Sequence, residues 1–227
     1  MLKLFIGNKN YSSWSMRAWV LMRQSGIEFE EVMLRLDGFH PDSQFKRRIA
    51  EISPAGQVPV LIDGDLAIWD TLAIAEYLAE KFPERQLWPA HPADRARARS
   101  VCAEMHGGFS ALRNACPMNI EARLPEVGAL ALRDQPAVRA NLNRIVTMWS
   151  ELLQQSQGPL LFGGFSIADA YYAPVVMRLI TYQLPVPAQI RAYMAQITHL
   201  EAVDAWMKKA LAEQDFLDFE EPYRLSR

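Results

Sequence analysis

Three prolines fall within Lys81–Pro92 (KFPERQLWPAHP). Each removes a backbone donor and fixes φ, so the stretch can sustain neither a helix nor a central strand. It divides the 227-residue chain into two parts with different patterns. Before it, short apolar runs alternate with helical segments. After it, alanine, leucine and arginine recur at helical spacing over Ala93–Arg113, Val138–Gln157, Ile167–Tyr182, Ala188–Gln196 and Ala202–Glu213. No strand pattern and no internal repeat stands out there. Residues 1–80 are therefore expected to form one domain, 81–92 a linker, and 93–227 an all-helical domain.

The front part reads strand, helix, strand, helix, strand, strand, helix. Leu2–Gly7 is a short apolar run followed by turn chemistry at Gly7-Asn8-Lys9-Asn10. Ser15–Ser25 carries Met16, Trp19 and Val20 at helical spacing and stops at Gly26. Phe29–Leu36 alternates as a strand, and Pro41–Ala50 reads as a short polar helix. Val58–Ile62 and Leu66–Trp69 flank Asp63-Gly64-Asp65, a strong hairpin signal. Asp70 or Thr71 then caps a helix running through Lys81. One βαβ unit requires a parallel strand pair, and the closing hairpin adds antiparallel ones. The fold class expected is α/β followed by all-α.

Half of the residues are apolar and the net charge is −2 with both signs dispersed. A substantial core can form, and no basic surface points to nucleic acid. The first residues contain no long apolar run, so neither a signal peptide nor a membrane span is expected. Cys102 and Cys116 are the only cysteines. Two thiols make no disulfide framework and no four-cysteine zinc site, and they fit a reducing cytoplasm.

Three clusters carry chemistry. Tyr11-Ser12-Ser13-Trp14-Ser15-Met16-Arg17 lies between the first strand and the first helix. Its hydroxyls gather where a helix begins, beside unpaired amides and the positive end of the dipole. Such a place stabilises an anion, and a thiolate held there would titrate below about 8.5. Ser13 or Ser15 would serve equally as an ordinary helix cap. In Ala55-Gly56-Gln57-Val58-Pro59-Val60-Leu61, a proline interrupts an apolar strand and forfeits a ladder donor. Trp69-Asp70-Thr71 stands at the hairpin-to-helix junction, as a helix cap or as a polar site.

Taken together, YSSWSMR, AGQVPVL and WDTLAIAEYL closely resemble the glutathione-binding half of cytosolic glutathione transferases, over about eighty residues. Gly164-Phe165-Ser166-Ile167-Ala168-Asp169-Ala170 extends the resemblance into the back part, where the family carries a structural capping box opening a buried helix. The resemblance implies a thioredoxin-like front domain, a helical domain forming a hydrophobic substrate pocket, and a homodimer. It also implies a cis proline at Pro59, exposing the Val58 backbone to the cysteinyl part of glutathione. Asp70 would balance the γ-glutamyl ammonium and Thr71 would hold its carboxylate. His40 or Lys46 would take the glycyl carboxylate.

The front motif looks most like the zeta-class pattern S-S-C-S-x-R. Ser12 takes the place of the thiol-activating serine, with Ser13 beside it, and Gln57 also agrees. Trp14 departs from the pattern, standing where that class has cysteine. Tyr11 offers a rival hydroxyl. The expected function is a transferase whose serine-activated glutathione thiolate attacks a small electrophile, with glutathione as co-substrate and no metal. Glutathione-dependent cis–trans isomerisation of a dicarboxylate is the alternative, and a non-catalytic binding module of this fold is a second. An isomerase of that kind would call on cationic groups such as Arg17 or Arg113. Met105, Phe109, Leu112, Cys116 and Met118 either line the pocket or pack as interhelical core. Cys102 and His106, four apart, are two potential ligands and too few for a metal, so core packing is expected.

Overall fold

The computed structural model describes every residue except Gln157, so that end of the expected 138–157 helix lies outside the described residues. The front part folds as β1 (Leu2–Ile6), α1 (Ser13–Gln24), β2 (Glu30–Met33), α2 (Gln44–Ala50), β3 (Val60–Asp63), β4 (Leu66–Trp69) and α3 (Thr71–Lys81). The sheet order is β2-β1-β3-β4. β1 and β2 run parallel, with Phe5 opposite Val32, while β1–β3 and β3–β4 are antiparallel. This is the thioredoxin-like arrangement. Asp63 pairs with Leu66, so Gly64-Asp65 makes a two-residue turn, and Gly64 supplies the positive φ that such a turn needs. β3 begins at Val60 rather than Val58. Pro59 has no N–H to give the ladder, and it stands just ahead of the strand after a cis Val58–Pro59 bond.

Beyond Lys81 the chain is helical: α4 (Pro92–Gly107), α5 (Ser110–Ala115), α6 (Pro125–Asp134), α7 (Pro136–Ser156), α8 (Ile167–Thr181), α9 (Ala188–His199) and α10 (Glu201–Glu213). Two differences from the sequence reading stand out. The expected helix 93–113 is broken at Gly108, which is extended, and Phe109, which is left-handed at φ +56°; only glycine fits at 108, where a Cβ would lie 2.5 Å from the Glu104 carbonyl oxygen. In addition, α6 was not anticipated, although Pro125 opens it at a position where a missing N–H costs nothing.

α8 is the axis of the molecule. Every residue of it except Ile180 is buried, and it packs against α1, α4 and α9. A helix apolar nearly all round has to be an interior helix. Asp169 holds its start: the Ser166 amide donates to Asp169 Oδ2 at 3.0 Å, and the Leu161 amide and Tyr193 hydroxyl donate to Oδ1 at 3.2 and 3.3 Å. Among the described residues, no helix is long and apolar enough to cross a membrane.

Candidate functional site

A cleft of about 720 Å³ separates the sheet-bearing part from the helices. Its front wall comes from local sequence. Ser12 is the N-cap of α1, a role the sequence reading gave to Ser13 or Ser15, and its Oγ accepts from the Ser15 amide at 3.4 Å. Its hydroxyl lies 2.7 Å from Ser15 Oγ, which in turn accepts the Gly7 amide at 3.0 Å. Ser12 and Ser13 are largely buried, yet both line the cleft. Tyr11 lines it too, but its hydroxyl donates to Glu221 Oε1 at 2.7 Å. Burial and that acceptor raise its pKa to about 12.

Gln57, Val58 and Pro59 form the next stretch of wall. Asp70 and Thr71 follow at the start of α3. Asp70 adopts φ +74°, a backbone conformation that costs a non-glycine residue on the order of 1–3 kcal/mol. Its Oδ1 accepts the Leu72 amide at 2.8 Å, which caps the helix. The Thr71 hydroxyl accepts from Tyr171 at 2.9 Å, while the amides of this first turn have no partners within the helix. Lys46 lines the cleft and donates to the Gly56 carbonyl at 2.8 Å. His40 is exposed and lies outside the lining.

The opposite wall comes from α4, α5 and α8 with the loop after α5: His106, Arg113, Asn114, Pro117, Met118 and Arg178, joined by Glu220 from the C-terminal segment. His106 Nε2 lies 3.1 Å from Asp70 Oδ2, joining the two walls. Trp14, at the position where the resembled pattern has cysteine, organises this side. The guanidiniums of Arg17 and Arg113 lie 4.3 and 5.1 Å from its ring centre, and the His106 ring meets it edge-on.

Residues 11–81 match the glutathione S-transferase N-terminal domain, and residues 94–196 match the C-terminal domain. The chain belongs to the glutathione S-transferase family. A zeta-class glutathione S-transferase from Euphorbia esula is 28% identical over 173 residues, 75% of this chain and 73% of that protein. A stringent starvation protein A homolog from Haemophilus ducreyi is 22% identical over 201 residues, 87% of this chain and 85% of that one. Among solved structures, a glutathione transferase homolog from Burkholderia GL BGR1 with bound glutathione aligns with a TM-score of 0.69 and 22% identity. It covers 93% of this chain and 98% of its own.

Within that family frame, the cleft gathers Ser12, Ser13, Gln57, Val58, Pro59, Lys46, Asp70 and Thr71, and leaves His40 aside. Of the residues expected either in the pocket or in the core, Met118 lines the cleft. Met105, Phe109, Leu112 and Cys116 are core, and burial pushes the Cys116 thiol up to about 11. Cys102 is likewise core, but His106 is not: one α4 turn separates them, and only His106 reaches the cleft. Arg178 and Glu220 drew no attention in the sequence. Their one available signal was a lone arginine inside an apolar run and an acidic pair near the C-terminus.

Proposed function

We propose that this protein binds glutathione along the front wall and that Ser12 holds its thiol as the thiolate for attack on a small electrophile. The observation that carries this is the hydrogen-bond chain behind Ser12. The Gly7 amide donates to Ser15 Oγ, and Ser15 lies within hydrogen-bond distance of Ser12 Oγ. In the free chain the Ser12 hydroxyl donates to Ser15 Oγ; once glutathione binds, the Ser15 proton turns onto Ser12, the Ser12 proton turns to sulfur, and each donor polarises the next. The positive end of α1 adds to the same effect. Tyr11, the rival, already gives its proton to the Glu221 carboxylate.

In this reading the Val58 backbone pairs with the cysteinyl unit, as an added strand would, with Gln57 and Pro59 beside it. Asp70 faces the γ-glutamyl ammonium, and the first amides of α3 with Thr71 take the γ-glutamyl carboxylate. Lys46, at the cleft, is the better placed partner of the glycyl carboxylate than His40. Rate gain comes from keeping the thiol ionised and oriented beside the electrophile.

The test is Ser12→Ala. Turnover should fall roughly a hundredfold while glutathione affinity holds, and the bound thiol should titrate back near about 8.5. Unchanged turnover and thiol titration would remove Ser12 from the chemistry. No binding at millimolar glutathione would favour a non-catalytic module of this fold.

A further inference from the structure

The helical wall of the cleft concentrates positive charge that the chain's own carboxylates leave unmatched. Arg178 is 5% exposed and lines the cleft. Its Nη1 donates to the Pro174 carbonyl at 3.3 Å and its Nη2 to Ser13 Oγ at 3.4 Å, both neutral acceptors at long range. Its Nε is buried without a partner. Arg113, half-buried on the same wall, donates Nη1 to the carbonyls of His106 and Gly108, each at 3.4 Å. Behind them Arg17 is 2% exposed, with Nε and Nη1 unpartnered. Among the described residues, none of the three forms an ion pair.

Buried cations are ordinarily paired, so two of them, Arg178 and Arg17, with half-buried Arg113 beside them need a reason. Burial, reinforced by mutual repulsion, lowers Arg178 to about 9 and Arg17 to about 10. Glu220 is the acid facing them. Burial holds its carboxyl above the usual range while Arg178 pulls it down, yet the two do not come within ion-pair distance. Asp70 stands on the front wall, where it contacts His106 Nε2 and caps α3 through the Leu72 amide, and it forms no ion pair with the three arginines. The wall therefore keeps a net positive charge beside Ser13, one residue from Ser12.

We propose that Arg113, Arg178 and the Ser13 hydroxyl form a receptor for the carboxylate of the acceptor substrate, which is accordingly a small monocarboxylic acid with an apolar body. The guanidinium fork suits a carboxylate, offering paired donors in its plane. Ser13, which accepts from Arg178, keeps its own proton to donate to a carboxylate oxygen. Trp14, Pro117 and Met118 supply apolar surface next to that position. A dicarboxylate would call for a second such receptor, and Lys46, the other cation lining the cleft, is taken by the glycyl carboxylate in the glutathione reading. The acceptor role rests on the glutathione reading; the anion site itself does not.

The experiment is calorimetric titration of 4-phenylbutyrate and its neutral amide into wild type, Arg113→Gln and Arg178→Met, with and without saturating S-methylglutathione. The acid should bind wild type roughly tenfold or more tighter than the amide, as a charged hydrogen-bonding group predicts. Arg113→Gln, at a half-buried position, should erase that preference without changing thermal unfolding or S-methylglutathione affinity. Equal binding of acid and amide overturns the proposal, as does failure of the acid to bind while S-methylglutathione does. So does displacement of the acid by S-methylglutathione together with weaker S-methylglutathione binding in Arg113→Gln, which would assign the arginines to a glutathione carboxylate. If S-methylglutathione fails to bind but the acid binds in an arginine-dependent way, the glutathione reading falls and the anion site stands.

Discussion

Asp169 and Arg178 sit at opposite ends of α8, both closed off from solvent, and their surroundings differ in kind. Asp169 is ringed by donors: the amides of Leu161 and Ser166 and the hydroxyls of Ser166 and Tyr193. Arg178 has two distant neutral acceptors, an unpartnered Nε and two neighbouring cations. A buried charge that the fold satisfies completely belongs to the architecture. A buried charge that it leaves short of partners at a cleft belongs to what enters the cleft. Burial alone does not separate these two cases; the inventory of partners does.

The largest effect should come from Asp169→Ala. It strands the Leu161 amide and the Tyr193 hydroxyl inside the core, and about 3 kcal/mol or more of stability should be lost in urea unfolding at neutral pH. A loss below about 1 kcal/mol would break the contrast with Arg178.

Next comes the pH dependence of the same group. Burial raises the Asp169 pKa from 3.8 to about 6 despite its donors. Between those values the folded chain holds a proton that the unfolded chain has released. This group's contribution is therefore fully present below about 4 and is lost as pH rises through about 6, at up to about 1.4 kcal/mol per pH unit. Wild type should show that slope relative to Asp169→Asn; parallel stability profiles would remove Asp169 as its source. Tyr193→Phe deletes one donor without leaving a hole and should cost about 1 kcal/mol by thermal or urea unfolding. A cost near that of Asp169→Ala would shift the anchoring role to the tyrosine.

The smallest stability effect belongs to Arg178→Met, and its direction sharpens the comparison. Replacing an unpaired buried cation by an apolar chain of similar length should leave stability within about 1 kcal/mol of wild type, or raise it. A loss as large as that of Asp169→Ala would make Arg178 a structural charge like its counterpart.

The front wall of the cleft was legible because its signals are local. A proline against an apolar run, hydroxyls at a helix start and an aspartate after a hairpin each point to a backbone feature within a few residues. The chain then brings Ser12, Val58, Pro59, Asp70 and Thr71 into one cleft because the end of β1, the start of β3 and the end of β4 meet at one end of the sheet. His40 shows the limit: it lies in the right stretch of sequence, but on the exposed side of its loop. The helical wall was largely illegible. The break between α4 and α5, with Arg113 Nη1 donating back to the His106 carbonyl, is made by an extended Gly108 and a left-handed Phe109, which no periodicity reveals. α8 reads as buried from its apolar composition, yet a helix apolar on every side gives no phase, so nothing in the pattern says that Arg178 faces the cleft.

By itself, then, the sequence determined the two-part architecture, the order of strands and helices in the front part, and the polar groups of the front wall, because strand alternation, turn chemistry and capping act over a few residues. Only the tertiary structure decided which helical side chains oppose Ser12 and which buried charges find partners. Those outcomes depend on helix register and on contacts between residues as distant as Ser13 and Arg178, set by packing across the whole core.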